Sequence, residues 1–148
     1  MKCGDIIGTH GTGLISKAIQ WYTHSEYSHI RIATSDTKFT EATWPRVRKG
    51  NISELKKGYT VKTPIAPLTI EEQTKLRLFL ELQIGKKYDW RGLISFIIRK
   101  NVQNKNWYYC NELAEEAYVT IKRQLVGGKS YWHTPDDLMN SLLLKDGN

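Results

Sequence analysis

The sequence predicts an α+β fold in which an antiparallel sheet of roughly four to six strands packs against helices. Short segments with alternating apolar side chains, separated by turn residues, occur in the first half of the chain. Later segments instead carry apolar side chains at three- and four-residue steps, the spacing of amphipathic helices. One of these helices begins close to a cysteine, and this feature orients the search for function.

The composition is that of one globular domain. The chain has 148 residues, and we expect a single domain that spans residues 1–148. Hydrophobic residues make up 40% and charged residues 25%, which is an ordinary balance. The 22 basic and 15 acidic side chains give a formal net charge of +7. That charge favours anionic partners such as nucleic acid, anionic lipid or a cell-wall polymer.

The cysteine count and the distribution of apolar residues predict the cellular compartment of the protein. Cys3 and Cys110 are too few to build a disulfide framework. The first residues lead directly into a short strand, without the apolar region of a secretory signal. No segment approaches the roughly 18 apolar residues of a membrane-spanning helix. We therefore expect a soluble cytoplasmic protein, and export by a separate route stays open.

A β-hairpin is predicted over residues 28–44. Its first strand alternates, so that His29 and Arg31 share one face, and a turn follows near Asp36. The return strand brings Glu41 within a residue or two of the position opposite His29, where the two side chains can touch. A carboxylate beside an imidazole fixes its tautomer and stabilises its charged form. The alternative is a surface pair of little consequence.

Basic side chains follow the hairpin, with Glu54 as the acidic residue among them. They are Arg46, Arg48, Lys49, Lys56, Lys57 and Lys62. Such a run is usually a solvated face, and the functional alternative is a rim that holds an anionic substrate. Further strands are predicted at residues 5–8 and 59–65.

Capping residues mark three helices. Thr69 begins one that ends near Gly85, and Asp89 begins a second. The second helix is apolar most of the way round, which is typical of a buried helix or of a surface for lipid or a partner. Its apolar residues are Leu93, Ile94, Phe96, Ile97 and Ile98. A third begins at Thr134-Pro135, and His133 before it is predicted to be a helix-entry or surface histidine.

The cysteine helix is predicted from residue 112 to Leu125, with Gly127-Gly128 as its stop. Acidic residues fill its first turns, and Lys122 and Arg123 fill its last, which complements the helix dipole. Cys110 then lies at the helix N-terminus, where free N–H groups favour a thiolate. The alternative is a small buried hydrophobic residue.

Metal-binding motifs are missing from the spacing of the histidines and cysteines. The candidates are Cys3, His10, His24, His29, Cys110 and His133, and none of them form a recognised zinc pattern. We expect neither a metal nor a cofactor.

The ordered set of motifs resembles the permuted papain-like amidases, the YiiX/YaeF-like relatives of the NlpC-type cell-wall peptidases. Gly4-Asp5-Ile6-Ile7 resembles the first strand of that family, and Tyr27-Ser28-His29-Ile30 resembles its histidine strand. Glu41-Ala42 resembles its following Glu-Ala, and Tyr109-Cys110-Asn111-Glu112-Leu113 resembles its cysteine helix start. Gly85 to Tyr88-Asp89 and Pro135 to Leu138 resemble weaker landmarks of the family, and together these pieces span nearly the whole chain in the family's order.

The resemblance implies a thiol hydrolase that cleaves an amide bond through an acyl-enzyme. Cys110 is then the nucleophile, His29 the general base and acid, and Glu41 the residue that orients His29. Tyr27 and Tyr108 are possible helpers of an oxyanion site. Asn111 replaces the family's small serine and is placed to alter that site. Arg31 is an additional charge on the His29 face, suited to a substrate carboxylate.

The substrate stays open at this point. A peptidoglycan-type peptide fits Arg31, whereas a lipid acyl group on the same triad fits the apolar helix at residues 93–98. A third hypothesis is a non-catalytic basic module that binds an anionic polymer or a membrane. Nucleic acid is the weaker version of that hypothesis, because the chain shows no RNA-binding motif.

Overall fold

The computed structural model describes residues 1–11, 17, 20–21, 24–55, 57–89, 107–128 and 133–147. Within them the strands are β1 Ile6–Thr9, β2 His29–Ala33, β3 Lys38–Ala42, β4 Val47–Asn51, β5 Tyr59–Pro64 and β6 Leu144–Asp146. The helices are α1 Ile70–Gln83, α2 Cys110–Val119 and α3 Pro135–Met139, and a 3₁₀ turn covers Ile52–Glu54. The predicted apolar helix at residues 93–98 and Lys56 lie outside the described residues.

The six strands form one antiparallel sheet in the order β4-β3-β2-β1-β5-β6. The α+β prediction is therefore confirmed. The first strand of the chain, β1, is an interior strand of the sheet, because it lies between β2 and β5. The order places the start of β2, where His29 lies, next to the end of β1.

The two faces of the sheet differ in what covers them. On one face Ile30 and Ile32 are buried with Leu113, Ala114 and other side chains of the helical layer in the main core. On the opposite face a smaller cluster forms around Ile7, Ala33 and Phe39. Alternation along β2 then sends His29 and Arg31 to the smaller-cluster face, as the sequence pattern predicts.

Helix α1 follows its sequence signals closely. Thr69 Oγ1 accepts a hydrogen bond from Glu72 N–H, and the Glu72 carboxylate accepts one from Thr69 N–H. This reciprocal cap satisfies two N–H groups that the first turn leaves without helical partners. Leu76 and Leu80 are buried on the core side, and Gly85 follows the helix with a φ of +85°.

Helix α2 is shorter than predicted, because it ends at Val119 and not at Leu125. The Tyr118 carbonyl accepts hydrogen bonds from the N–H groups of both Ile121 and Arg123, and Lys122 adopts a φ of +59°. Ile121 and Leu125 are still buried, so their apolar spacing reflects burial in a turn. Arg123 lies beyond the end of the helix and forms an ion pair with Glu72 at 2.7 Å.

The sequence pattern does not predict two of the strands, β4 and β6. β4 runs through the basic stretch, where exposed Arg48 and Lys49 hide the pattern, and it follows a cis Trp44–Pro45 bond. β6 has three residues and pairs with β5 near the chain end. Within the described residues, no helix combines the length and the apolar character needed to cross a bilayer.

Candidate active site

Cys110 is the first residue of α2, and extended Tyr109 caps that helix. The first turn of a helix has N–H groups without helical partners, so it presents positive charge to the cysteine. Cys110 is 7% exposed, and burial by itself raises the pKa of its thiol. The hydrogen bond with His29, its positive charge, and the backbone N–H groups of Ile30 and Asn111 outweigh burial and lower that pKa.

His29 connects the sulfur to a carboxylate. Its Nε2 lies 2.7 Å from Glu41 Oε2, and its side chain is 19% exposed. Because Nε2 faces Glu41, Nδ1 is the nitrogen left for the sulfur. Burial lowers the pKa of His29, but the hydrogen bonds to Cys110 and Glu41 raise it to about 9.

Glu41 is 2% exposed and contacts three cationic side chains. Besides His29, these are Arg31, whose Nε lies 2.7 Å from Oε2, and Arg48, whose Nη2 lies 2.6 Å from Oε1. Burial raises the pKa of Glu41, yet the His29 hydrogen bond and the three positive charges lower it to about 2. A buried carboxylate is thus kept ionised by its neighbours.

The register of the sheet explains this cluster. Glu41 lies directly opposite Arg48 in the β3–β4 pair. The β2–β3 pair matches Ile32 with Thr40, and one more step along both strands places Glu41 opposite Arg31. His29 is then the diagonal neighbour, at a distance that a long side chain can span. The predicted contact between His29 and Glu41 is present in the structure.

The pKa shifts of Cys110 and His29 run in opposite directions. A thiol with a lowered pKa beside an imidazole with a raised pKa favours the thiolate–imidazolium pair over the neutral pair. A thiolate is the nucleophilic form of cysteine, and an imidazolium can donate a proton to a leaving group. The arrangement therefore has the chemical capacity for nucleophilic attack and acid–base catalysis.

Arg31 has more partners than the sequence indicates. Its Nε–H is not directed at Glu41 Oε2, so that contact is a charge pairing and not an aligned hydrogen bond. Its Nη1 donates to Thr9 Oγ1 at 3.0 Å, and its guanidinium lies 5.3 Å from the centre of the Phe39 ring. These contacts fix the Arg31 side chain over the outer face of the sheet.

Arg48 belongs to the site, although the sequence placed it in a solvated face or a substrate rim. It bridges Glu41 and Glu54, with Nη1 3.0 Å from Glu54 Oε2. The signal that reveals this position is the β3–β4 register, which requires recognising Val47–Asn51 as a strand. The basic stretch is therefore divided between site contacts and surface ion pairs such as Lys49–Glu81.

Asn111 is buried beside the sulfur. Its Oδ1 lies 3.4 Å from Cys110 Sγ, and its Nδ2 donates to the His133 carbonyl at 2.8 Å. His133 is 6% exposed, which corrects the expectation of a surface histidine, although it does precede α3 as predicted. Asn111 therefore connects the start of α2 to the entry of α3.

The two tyrosines proposed for the oxyanion site, Tyr27 and Tyr108, contact different parts of the structure. Tyr27 stacks on His10 with 4.7 Å between ring centres, whereas Tyr108 contacts Phe79 edge-on at 6.5 Å and lies near Lys86. Tyr88 is a further tyrosine, which the sequence analysis does not assign to the site. Burial and then the negative charges of Cys110 and Asp89 raise the pKa of Tyr88, which places its hydroxyl in the electrostatic field of the sulfur.

No three histidine, cysteine, aspartate or glutamate side chains converge on a metal-sized site anywhere in the part of the chain that the structure describes. In the cluster around His29, the imidazole lies between the sulfur and the carboxylate, so these groups bind to one another.

Comparisons with known proteins identify a fold but no sequence family. No protein-family model matches the chain, and no curated protein matches it. The crystal structure of metalloprotein yiiX from Escherichia coli O157:H7 is similar, with a TM-score of 0.79 and 21% sequence identity. The match covers 99% of this chain and 96% of that one. The chain therefore has a YiiX-like fold.

Proposed function

We propose that this chain is a thiol hydrolase that cleaves an amide bond through Cys110, His29 and Glu41. The observation that carries the proposal is the continuous connection from the Cys110 sulfur through the His29 ring to the buried Glu41 carboxylate. This is the relation of nucleophile, base and orienting residue that defines a catalytic triad by geometry. The likeness to a YiiX-type structure supports the same reading at the level of fold.

The proposed reaction has two steps. The Cys110 thiolate attacks the carbonyl carbon, and the His29 imidazolium donates its proton to the amine that leaves as the C–N bond breaks. Neutral His29 then removes a proton from water as the water oxygen attacks the thioester carbon. The C–S bond breaks and releases the acid and the Cys110 thiolate, so the thiolate–imidazolium pair is restored. Glu41 stays ionised throughout and holds the His29 ring by its Nε2–H.

An oxyanion site is proposed at the start of α2. The backbone N–H groups of the first turn point out of the helix end, towards the carbon that the sulfur attacks. Tyr27 is a helper in this proposal. Tyr108 is the weaker helper, because its described contacts are with Phe79 and Lys86.

The order of the residues supports a circularly permuted papain-like domain over residues 1–148. His29 precedes Cys110, which is the reverse of the order in ordinary papain-like enzymes. Because a permutation changes the order of the elements and keeps their contacts, the site geometry is compatible with either order. The sheet-and-helix arrangement here places the histidine strand against the cysteine helix, as the proposal requires.

The neighbour's description as a metalloprotein does not transfer readily to this site. The described residues lack a set of three converging metal-ligating side chains. The Glu41 carboxylate is paired with His29 Nε2, and the Cys110 sulfur is hydrogen-bonded to the same side chain, so both groups are already engaged by the imidazole. No step of the proposed reaction is routed through a metal.

Alkylation by iodoacetamide tests the nucleophile, because the chain contains its own control in Cys3. At pH 5.5 we expect Cys110 to react about tenfold faster than Cys3. The lowered pKa of Cys110 increases its thiolate fraction at this pH, and the lower intrinsic nucleophilicity of such a thiolate offsets part of that gain. The labelled cysteine is identified by mass spectrometry. Equal rates at the two cysteines would remove the mechanism.

A substrate screen separates the alternatives. Muropeptide amides and acyl esters are incubated with the wild type and with Cys110→Ser, and the products are identified by mass spectrometry. Cleavage of amides by the wild type alone supports the proposal, and cleavage of esters alone supports a lipid acyl hydrolase on the same triad. Salt-dependent binding of an anionic polymer, with neither class cleaved, would favour a non-catalytic module.

A further inference from the structure

A cavity of about 280 Å³ lies on the outer face of the sheet, beside the proposed triad. Its walls include Thr9, His10, Arg31, Leu55 and Lys57. Thr9 pairs with His29 across the β1–β2 ladder, so the cavity begins one strand away from the imidazole. Cys110 does not line the cavity, but Arg31 both lines it and contacts Glu41.

The charges around this cavity are unbalanced. Glu54 also lines it, but the Glu54 carboxylate is held by Arg48 at 3.0 Å and by the Asn51 N–H group at 2.7 Å. No acidic side chain of the residues described here pairs with Lys57. Two cationic side chains thus border the cavity, while its acidic residue is already engaged.

Part of the Arg31 guanidinium remains available as a hydrogen-bond donor. Its Nε lies 2.7 Å from Glu41 Oε2 as a charge pairing, and its Nη1 donates to Thr9 Oγ1. The N–H groups of Nη2 have no hydrogen-bond partner among the described residues. The Thr9 and Phe39 contacts hold the guanidinium plane in place. A held guanidinium is a pre-organised partner for a carboxylate, since less conformational freedom is lost on binding.

We propose that this cavity is an anion site that binds a carboxylate between Arg31 and Lys57. Apart from Leu55 and two glycines, the lining residues are charged or polar, and two of them are cationic. This lining suits a short acidic side chain better than a fatty acyl chain. Assigning the bound carboxylate to the substrate rests on the proposed function. It then selects an acidic peptide over a lipid as the substrate class.

The occupant shares Arg31 with Glu41. A carboxylate in the cavity and the Glu41 carboxylate would lie on different edges of one guanidinium, which has enough donors for both. The sharing links recognition of the acidic group to the residue that orients His29, with the shared side chain as a positioning residue. The cavity site therefore lies where a substrate group can be recognised without contacting the sulfur.

The test uses small probes and no turnover, so it is independent of the hydrolase proposal. Glutarate, neutral glutaramide and inorganic phosphate are titrated into the full chain, and the backbone amide shifts of Lys57 and Gly58 are followed by NMR. We expect saturable shifts with glutarate and none with glutaramide. Lys57→Gln weakens glutarate binding about threefold to fivefold, the value of one exposed ion pair, and Lys57→Glu weakens it further.

Lys38→Gln is the matched control, because it makes the same charge change at an exposed lysine. Lys38 alternates with Phe39 and therefore projects from the opposite face of the sheet. We expect its affinity for glutarate to equal that of the wild type. Absence of glutarate shifts, an equal loss in Lys57→Glu and Lys38→Gln, or tighter Lys57-dependent binding of phosphate than of glutarate would each overturn the proposal.

Discussion

Cys3 and Cys110 are both affected by burial in the same direction, and they differ in the groups that surround each thiol. Burial raises the pKa of both thiols. At Cys3 the charge of Arg77 and a hydrogen bond to it oppose burial, yet the pKa stays raised. At Cys110, His29 and two backbone N–H groups reverse the effect of burial.

At Cys3 one nearby cation, Arg77, does not offset the effect of burial on the thiol pKa. Cys3 precedes β1 and lies outside the first turn of each helix that the structure describes. Cys110 combines a helix N-terminus with an imidazole that is itself held by a buried carboxylate. Activation follows from several aligned donors acting on one sulfur.

Removing the imidazole should abolish the difference between the two cysteines. In His29→Ala we expect the rate of Cys110 alkylation at pH 5.5 to fall about tenfold, to the level of Cys3, because the thiolate loses its charged partner. Hydrolysis of any substrate found should fall by at least about a thousandfold. His24→Ala is the control, and it should keep the wild-type rates. A fast Cys110 in His29→Ala would assign the activation to the helix end alone.

Glu41 connects the activated cysteine to the stability of the sheet. Its pKa is lowered from 4.5 to about 2, so its contribution to stability is present above about pH 4.5 and is lost as the pH falls towards 2. In Glu41→Gln we expect the free energy of unfolding at pH 7 to fall by about 3 kcal/mol. The difference from wild type should shrink towards pH 2.

Urea unfolding at pH 7, 4 and 2.5 measures this dependence. The matched control is Glu71→Gln, because Glu71 is 76% exposed and pairs with Lys75 on the surface of α1. We expect that variant to differ little from the wild type at any pH, since an exposed pair contributes little. A pH-independent difference in Glu41→Gln would contradict the ionised, buried carboxylate described above.

Asn111→Ser separates the contribution of the Asn111 side chain from that of its backbone N–H. The serine loses the Nδ2 donor to the buried His133 carbonyl, which should lower the free energy of unfolding by about 1 kcal/mol. The backbone N–H of residue 111 is kept, so Cys110 should remain fast at pH 5.5. Thermal unfolding and alkylation measure the two effects. Asn140→Ser, at an exposed asparagine, serves as the control.

The smallest expected effect concerns Cys3. Arg77→Gln removes the charge that lowers the Cys3 pKa, so alkylation of Cys3 at pH 8 should slow by about twofold to threefold. Cys110 should keep its rate. Lys75→Gln removes a charge from the same helix and should leave both cysteines unchanged. A faster Cys3 in Arg77→Gln would show that the guanidinium hinders access more than it stabilises the thiolate.

Much of the site's strand geometry was accessible from local pattern. The alternation of residues 28–34 placed His29 and Arg31 on one face, and the turn near Asp36 brought Glu41 close to them. The caps of α1 and α3 follow directly from Thr69 and Thr134. These features depend on contacts between residues close in sequence, whose geometry the covalent chain restricts.

Other features were decided by contacts between distant segments. Asn111 binds the carbonyl of His133, and Arg123 leaves the predicted helix for Glu72. Arg48 enters the site only because β4 pairs with β3, although its own segment reads as a charged surface. A charged side chain has many possible partners, so its sequence position alone does not select one.

Local patterns in the sequence predict the α+β class, the hairpin and a helix N-terminus at Cys110, because periodicity and capping depend on residues close in sequence. Three features depend on tertiary packing: the contact of Cys110 with His29 that the family resemblance implies, the three cationic neighbours of Glu41, and the cavity beside Arg31. The physical reason is that each of these contacts depends on how the sheet and the helices pack, and packing sums many weak interactions over the whole chain.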